Sequence, residues 1–105
     1  MAQHVVFFWG AWNGTVTCTL AWDQVFHDSV VVVTACEGDP PITSAAPVRW
    51  CGDAKSTVNN VAPMEGAVVF RVTIDWHRPL GLWTTVTVFD RTNVSFGTVP
   101  LQPPR

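Results

Sequence analysis

Residues 67–90 read AVVFRVTIDWHRPLGLWTTVTVFD, and apolar side chains recur at every second position in both halves of this stretch. Successive side chains of a β-strand point to opposite faces, so this period predicts two strands with one buried face each. The predicted core face of the first strand consists of Val68, Phe70, Val72, Ile74 and Trp76. Pro79 and Gly81 favour a turn between the strands. We therefore predict an antiparallel hairpin with the cross-strand pairs Thr73–Thr85, Arg71–Thr87 and Asp75–Trp83.

The same alternation recurs along the rest of the chain. We predict seven short strands, at about residues 3–9, 15–22, 29–36 and 48–52, in the two arms of 67–90, and at 94–99. The segments between them contain Gly, Pro, Asn and Asp, as in the Asn13-Gly14 turn, the loop 23–28, the Pro-rich stretch 37–47 and a polar loop that extends to Gly66. Residues 1–105 are thus predicted to form one all-β domain, an antiparallel β-sandwich or jelly-roll-like barrel, with a Pro-rich tail at 100–105.

The composition excludes several classes of protein. Apolar residues make up 48% of the chain and charged residues 13%, so the chain is not a disordered, highly charged segment. A net charge of −2 without a basic run argues against nucleic-acid binding. A transmembrane helix needs about 20 consecutive apolar residues, which the sequence lacks. The run Val5–Trp9 follows no basic residue and precedes no clear cleavage site, so we interpret it as a strand rather than a signal peptide, which leaves the cellular compartment open.

The numbers of tryptophan and cysteine residues bear on ligand binding and on disulfide formation. The chain has six Trp and no Tyr. Six Trp are more than one small core needs, which suggests that some indoles contact a ligand or a partner. Three Cys form an odd number, which favours buried free thiols. The main alternative is a bridge between Cys18 and Cys36 on neighbouring strands.

The polar face of the predicted hairpin is our first candidate site. It brings together Arg71, Asp75, His77 and Trp83, and a flat indole beside a carboxylate and a guanidinium suits a sugar ring. On this interpretation, Trp83→Ala weakens binding and spares the fold, whereas Trp76→Ala opens a core cavity. The alternative is an ordinary solvated sheet face with Trp83 covered by another loop.

The turn Trp9-Gly10-Ala11-Trp12-Asn13-Gly14 is the second candidate site, with Trp12 and Asn13 as ligand-binding residues. Equally, Trp9 belongs to the core and Trp12 covers one end of the domain. Trp22 and Trp76 continue apolar strand faces and are expected in the core, and Trp50 is undecided.

Catalytic and metal motifs are not evident. His27 and Asp28 are adjacent, so their side chains point apart rather than forming a catalytic pair, and the three His are scattered along the sequence. We therefore expect neither an enzyme nor a metal site, and no cofactor.

These observations favour a carbohydrate-binding, lectin-like β-sandwich module that assembles as a homo-oligomer. Oligomerisation is expected because Val30–Val33 is apolar on both strand faces. The alternative is a structural protein that assembles with copies of itself, such as a shell, a filament or a toxin-associated subunit, and binds no small molecule.

Overall fold

The computed structural model describes residues 2–42, 46–90 and 97. Within these residues all regular structure is β-strand, which confirms the predicted fold class. The strands are β1 (Ala2–Trp12), β2 (Gly14–Ala21), β3 (Val30–Gly38), β4 (Arg49–Trp50), β5 (Lys55–Met64), β6 (Ala67–Asp75) and β7 (Leu80–Phe89). The described residues contain no helix long and apolar enough to cross a membrane.

The strands form two antiparallel sheets that pack as a sandwich. The front sheet has the strand order β1-β7-β3-β4, and the back sheet has the order β2-β6-β5. Strand β3 of the front sheet also contacts β5 of the back sheet. The core lies between the two layers and is lined by alternate residues of both.

The predicted hairpin at 67–90 is wrong. Strand β6 pairs with β2 and β5, whereas β7 pairs with β1 and β3, so the two arms belong to different sheets. Residues 76–79 carry the chain across the sandwich, and the apolar faces of the two arms meet across the core instead of lying side by side. Alternation specifies which face of a strand is apolar, but both arrangements satisfy the same alternation.

The polar segment before Gly66 is also different from its prediction. Residues 55–64 form the edge strand β5 rather than a loop. Its register with β6 shifts between Asn59 and Ala62, and Asn60 takes a positive φ of 56°, which is the geometry of a bulge. A strand that is exposed along one edge tolerates Asn and Pro, and this is why its sequence resembles a loop. The predicted strand at 94–99 lies outside the described residues, apart from residue 97.

The core is built from the faces that the alternation predicted. Fully or almost fully buried apolar side chains come from β2, β6 and β7: Cys18, Leu20, Val68, Phe70, Val72, Ile74, Leu82, Val86 and Val88. Val25, from the loop between β2 and β3, has no exposed surface and closes one end of the core. Its backbone is bonded to Trp22 and Gly66, which holds this loop against the sandwich.

The Asn13-Gly14 step turns the chain, as predicted, but it joins two layers rather than two neighbouring strands. Gly14 has a φ of 73° and Asn13 does not share the positive φ that a two-residue hairpin turn of this kind requires. The chain therefore passes from the edge of the front sheet to the edge of the back sheet. Gly10, with a φ of 95°, lies in the irregular part of β1 between Phe8 and Ala11.

Candidate ligand-binding groove

The four residues of the first predicted site do not lie on one surface: two are in the back sheet, Trp83 is in the front sheet, and His77 lies in the connection between β6 and β7. Arg71 and Asp75 are exposed on the outer face of the back sheet, as their alternation predicted. Trp83 lies in the front sheet on β7, whose partners are β1 and β3. Because a sandwich directs the outer faces of its two sheets away from each other, the predicted grouping of Trp83 with Arg71 and Asp75 is wrong.

Trp83 is moreover buried, with 4% of its surface exposed. Its indole N–H donates a hydrogen bond to the Asp39 carbonyl oxygen at 2.7 Å, and its ring lies 5.1 Å from that of Phe8. Pro41 and Pro47 border the same site. The Pro-rich segment after β3 thus covers the indole, which is the alternative that the sequence left open.

The back-sheet residues form an open polar surface. Arg71 is paired in register with Thr17 and Asn59, and Asp75 with Lys55. His77 is exposed and its ring lies 4.8 Å from that of Trp76. No aromatic ring of the described residues accompanies Arg71 in its register row, so this surface lacks the flat stacking partner that was predicted for it.

The Trp9–Gly14 segment separates its two indoles. Trp9 packs against the core, donates its indole N–H to Thr84 Oγ1 at 2.7 Å and meets the Phe70 ring edge-on at 5.9 Å. Trp12 is 45% exposed and donates its indole N–H to the Trp9 carbonyl oxygen at 2.6 Å. Trp22 and Trp76 are partly buried against the core, in agreement with their prediction.

An open groove lies where the end of β3 meets β4 and the start of β5. Its volume is about 470 Å³, and it is lined by Ala35, Cys36, Glu37, Arg49, Trp50, Cys51, Gly52, Ala54 and Ser56. The groove exists because β4 is only two residues long, so that β3 and the following loop leave a gap in front of the back sheet.

Three side chains give this groove its chemistry. Trp50 is 44% exposed and lies directly opposite Glu37 in the pairing of β4 with β3. Arg49 is exposed and donates from Nη1 to Thr85 Oγ1 at 3.1 Å, which fixes its guanidinium on the front sheet. The Trp50 ring and the Glu37 carboxylate thus lie on the same face of the β3–β4 pair, whereas the Arg49 guanidinium, one residue along β4, is directed to the outer face of the front sheet.

Gly52 makes room for the carboxylate of Glu37. A Cβ at position 52 would lie 1.7 Å from Glu37 Oε1, so any other residue there would force the carboxylate to move. The absence of a side chain therefore allows the loop after β4 to approach β3 closely.

Sequence reasoning missed this site because Glu37 begins the Pro-rich stretch 37–47, which predicts no regular structure, and Arg49 follows it. The sequence nevertheless contained an indication of the site, because a short strand was predicted at 48–52 and Trp50 on it was not assigned to the core. Only the pairing of this strand with the end of β3 places the three residues together.

A second polar contact joins two loops at the opposite end of the sandwich. Glu65 Oε1 accepts hydrogen bonds from the ring nitrogen Nδ1 of His27 and, at 3.1 Å, from the His27 backbone N–H. These hydrogen bonds hold the pKa of Glu65 below its usual value, and the nearby charge of Asp28 opposes them. Because both side chains are largely exposed, we interpret the pair as a contact that holds the 22–29 loop against the turn at Glu65 rather than as a reactive centre.

No His, Cys, Asp or Glu residues of the described ranges cluster in groups of three that could hold a metal ion. No protein-family model matches this chain, and no curated protein or solved structure is significantly similar to it.

Proposed function

We propose that this domain binds carbohydrate in the groove between β3, β4 and the start of β5. The observation that carries the proposal is the exposed ring of Trp50 directly opposite Glu37 in a concave groove that Arg49 also lines. A sugar ring presents C–H groups that stack on an indole, and hydroxyl groups that donate to a carboxylate and accept from a guanidinium. The site is a relocated form of the predicted one, with the same three kinds of side chain supplied by other residues.

The open shape of the groove favours a terminal or short saccharide held by a few contacts. A site of this kind binds weakly by itself, and display of several copies raises the overall affinity. The proposed lectin-like activity therefore fits best with an oligomer, in which each protomer contributes one groove.

The test begins with a titration of intrinsic tryptophan fluorescence against a panel of neutral and acidic saccharides, followed by calorimetry on variants with the saccharide that binds. Calorimetry is needed because replacing Trp50 also removes a fluorophore. We expect Trp50→Ala to abolish measurable binding. Glu37→Gln should weaken binding about tenfold or more, because a charge-assisted hydrogen bond contributes about 1.5–3 kcal/mol.

Trp12→Ala is the matched control, since its indole is exposed to the same extent (45% against 44%) but lines a different cleft. It should bind like the wild type. Loss of binding in Trp12→Ala with retention in Trp50→Ala would move the site to the Trp12–Asn13 turn. Loss confined to Asp75→Asn would favour the polar surface of the back sheet, and no binding by the wild type to any saccharide would refute the proposal.

Self-assembly is the second candidate function, and the outer face of the front sheet favours it. Val30 and Val32 of β3 are 39% and 48% exposed there, the adjacent β7 adds Phe89 at 41%, and β1, on the far side of β7, adds Val6 at 39%. These exposed apolar side chains alternate with Thr residues on the same face, and such a mixed surface is suited to contact a second copy of the chain.

Sedimentation velocity tests self-assembly independently of saccharide binding. Val32→Asp should shift an oligomer to the 11.5 kDa species, whereas Thr57→Asp, on the outer face of the back sheet, should leave it unchanged. A wild-type protein that sediments only as monomer would refute self-assembly without bearing on the groove.

A further inference from the structure

The pairing of β4 with β3 brings two cysteines to facing positions. The last ladder pairs are Gly38 with Arg49 and Glu37 with Trp50. In an antiparallel pair, each step back along one strand is matched by a step forward along the other. One step beyond the ladder therefore places Cys36 opposite Cys51, with both side chains on the same side of the pair.

One contact across the two segments supports this extension of the pairing. Cys36 Sγ lies 3.8 Å from the carbonyl oxygen of Trp50, which belongs to the peptide group attached to Cys51. Both cysteines line the same groove. Facing residues of antiparallel strands have Cα atoms about 4.5–5.5 Å apart, and a disulfide spans Cα separations of about 4.4–6.8 Å. The register of β4 with β3, continued by one pair, would thus bring the two cysteines within the range of a cross-strand disulfide.

The third cysteine is excluded from this pair. Cys18 is 3% exposed in the core, on β2 of the back sheet, and burial raises the pKa of its thiol. The predicted alternative of a Cys18–Cys36 bridge is wrong, because β2 and β3 belong to different sheets and are not neighbours. By contrast, Cys51 is exposed and Cys36 is partly buried beside it, so both can be reached from the groove.

We propose that Cys36 and Cys51 are a reversible thiol–disulfide site that fastens β4 to β3. With oxidised glutathione as the oxidant, the exposed Cys51 thiolate attacks one glutathione sulfur and releases one glutathione thiolate. Cys36 then attacks the Cys51 sulfur of the mixed disulfide and releases the second. Two protein thiols become one disulfide, one oxidised glutathione becomes two reduced molecules, and two protons leave the protein thiols.

The disulfide would act on the least supported strand of the fold. Strand β4 is held by two ladder pairs, and the chain between Cys36 and Cys51 includes the segment that covers Trp83. Closing this loop would hold Trp50 in place along the wall of the groove. The inference rests on the strand register and on the contact of Cys36 with Trp50, and it does not depend on carbohydrate binding.

The test is to equilibrate the folded protein in glutathione buffers of increasing oxidised fraction, quench with acid, and alkylate in denaturant. We expect the number of alkylated thiols to fall from three to one, with the loss of two hydrogen atoms in intact mass. Digestion by trypsin and a Glu/Asp-specific protease cleaves after Arg49 and after Asp28, so that each cysteine lies in its own peptide. The only linked pair should contain Cys36 and Cys51, and dithiothreitol should restore three thiols.

Two cysteine variants test which thiols form the link. Cys51→Ser should form no intramolecular link at any glutathione ratio, whereas Cys18→Ala should link as the wild type does. If Cys18→Ala fails to fold, the wild-type peptide map decides alone. The proposal is overturned by a stable glutathione adduct on Cys51 without a cross-link, by a link that includes Cys18, or by links found only between two chains.

Discussion

Trp83 provides the sharpest test of the tertiary structure, because its alternation on β7 and its observed surroundings imply opposite outcomes for Trp83→Ala. If the indole were the exposed platform that the sequence predicted, its removal would hardly change stability. In the structure it is 4% exposed, packs on Phe8 and donates a hydrogen bond to the Asp39 carbonyl oxygen at 2.7 Å. We therefore expect Trp83→Ala to destabilise the fold.

The magnitude follows from the kind of cavity that the substitution leaves. Replacing a buried aromatic residue by Ala costs about 3–5 kcal/mol, which includes lost burial and the unfilled volume. For a domain of this size, 1 kcal/mol corresponds to about 4–8 °C in Tm, so the Tm should fall by more than about 10 °C. Trp83→Phe should cost less, because it keeps an aromatic ring and loses the N–H donor and part of the packing.

Urea denaturation followed by circular dichroism measures these free energies, with Trp50→Ala as the control. Trp50 is 44% exposed, so its removal should cost less than about 1 kcal/mol. The reasoning is refuted if Trp83→Ala unfolds within about 1 kcal/mol of the wild type, or if Trp50→Ala is the more destabilised variant.

Three further predictions concern the loops and the strand crossings. Gly81→Ala should destabilise the domain by about 1–3 kcal/mol, measured by urea denaturation, because its Cβ would lie 2.2 Å from a backbone carbonyl oxygen of β3 that cannot move aside as a side chain can. Oxidation that links Cys36 to Cys51 should raise the free energy of unfolding by about 3 kcal/mol, as expected for closure of a loop of about 15 residues, and the urea midpoints of oxidised and reduced protein should differ accordingly. The hydrogen bonds from His27 lower the folded-state pKa of Glu65, so their small stabilising effect is present above the usual Glu pKa and is lost as the pH falls through the lowered one. An NMR titration should place the pKa of this carboxyl below the usual value for Glu, and a normal value there would count against the loop contact.

Much of the candidate site was hidden from sequence reasoning for a physical reason. The groove joins Glu37, at the end of a long strand, to Arg49 and Trp50 on a strand of two residues. Between them lies a Pro-rich segment whose path no local pattern specifies. The entropy cost of closing a loop rises slowly with its length, so many different closures satisfy the same local preferences. The energy that selects one of them comes from contacts such as that of Asp39 with Trp83.

The sequence by itself determined the all-β class and the two faces of most strands, because side-chain alternation is a property of the extended backbone. Val68, Phe70 and Val72 are buried as their period predicted, and Arg71 and Asp75 are exposed. Only the tertiary structure decided that β6 and β7 belong to opposite layers, that β5 pairs at an edge, and that the outer face of β7 is covered at one end. These features depend on contacts between residues far apart in the chain, and the same alternating pattern is compatible with several ways of making them.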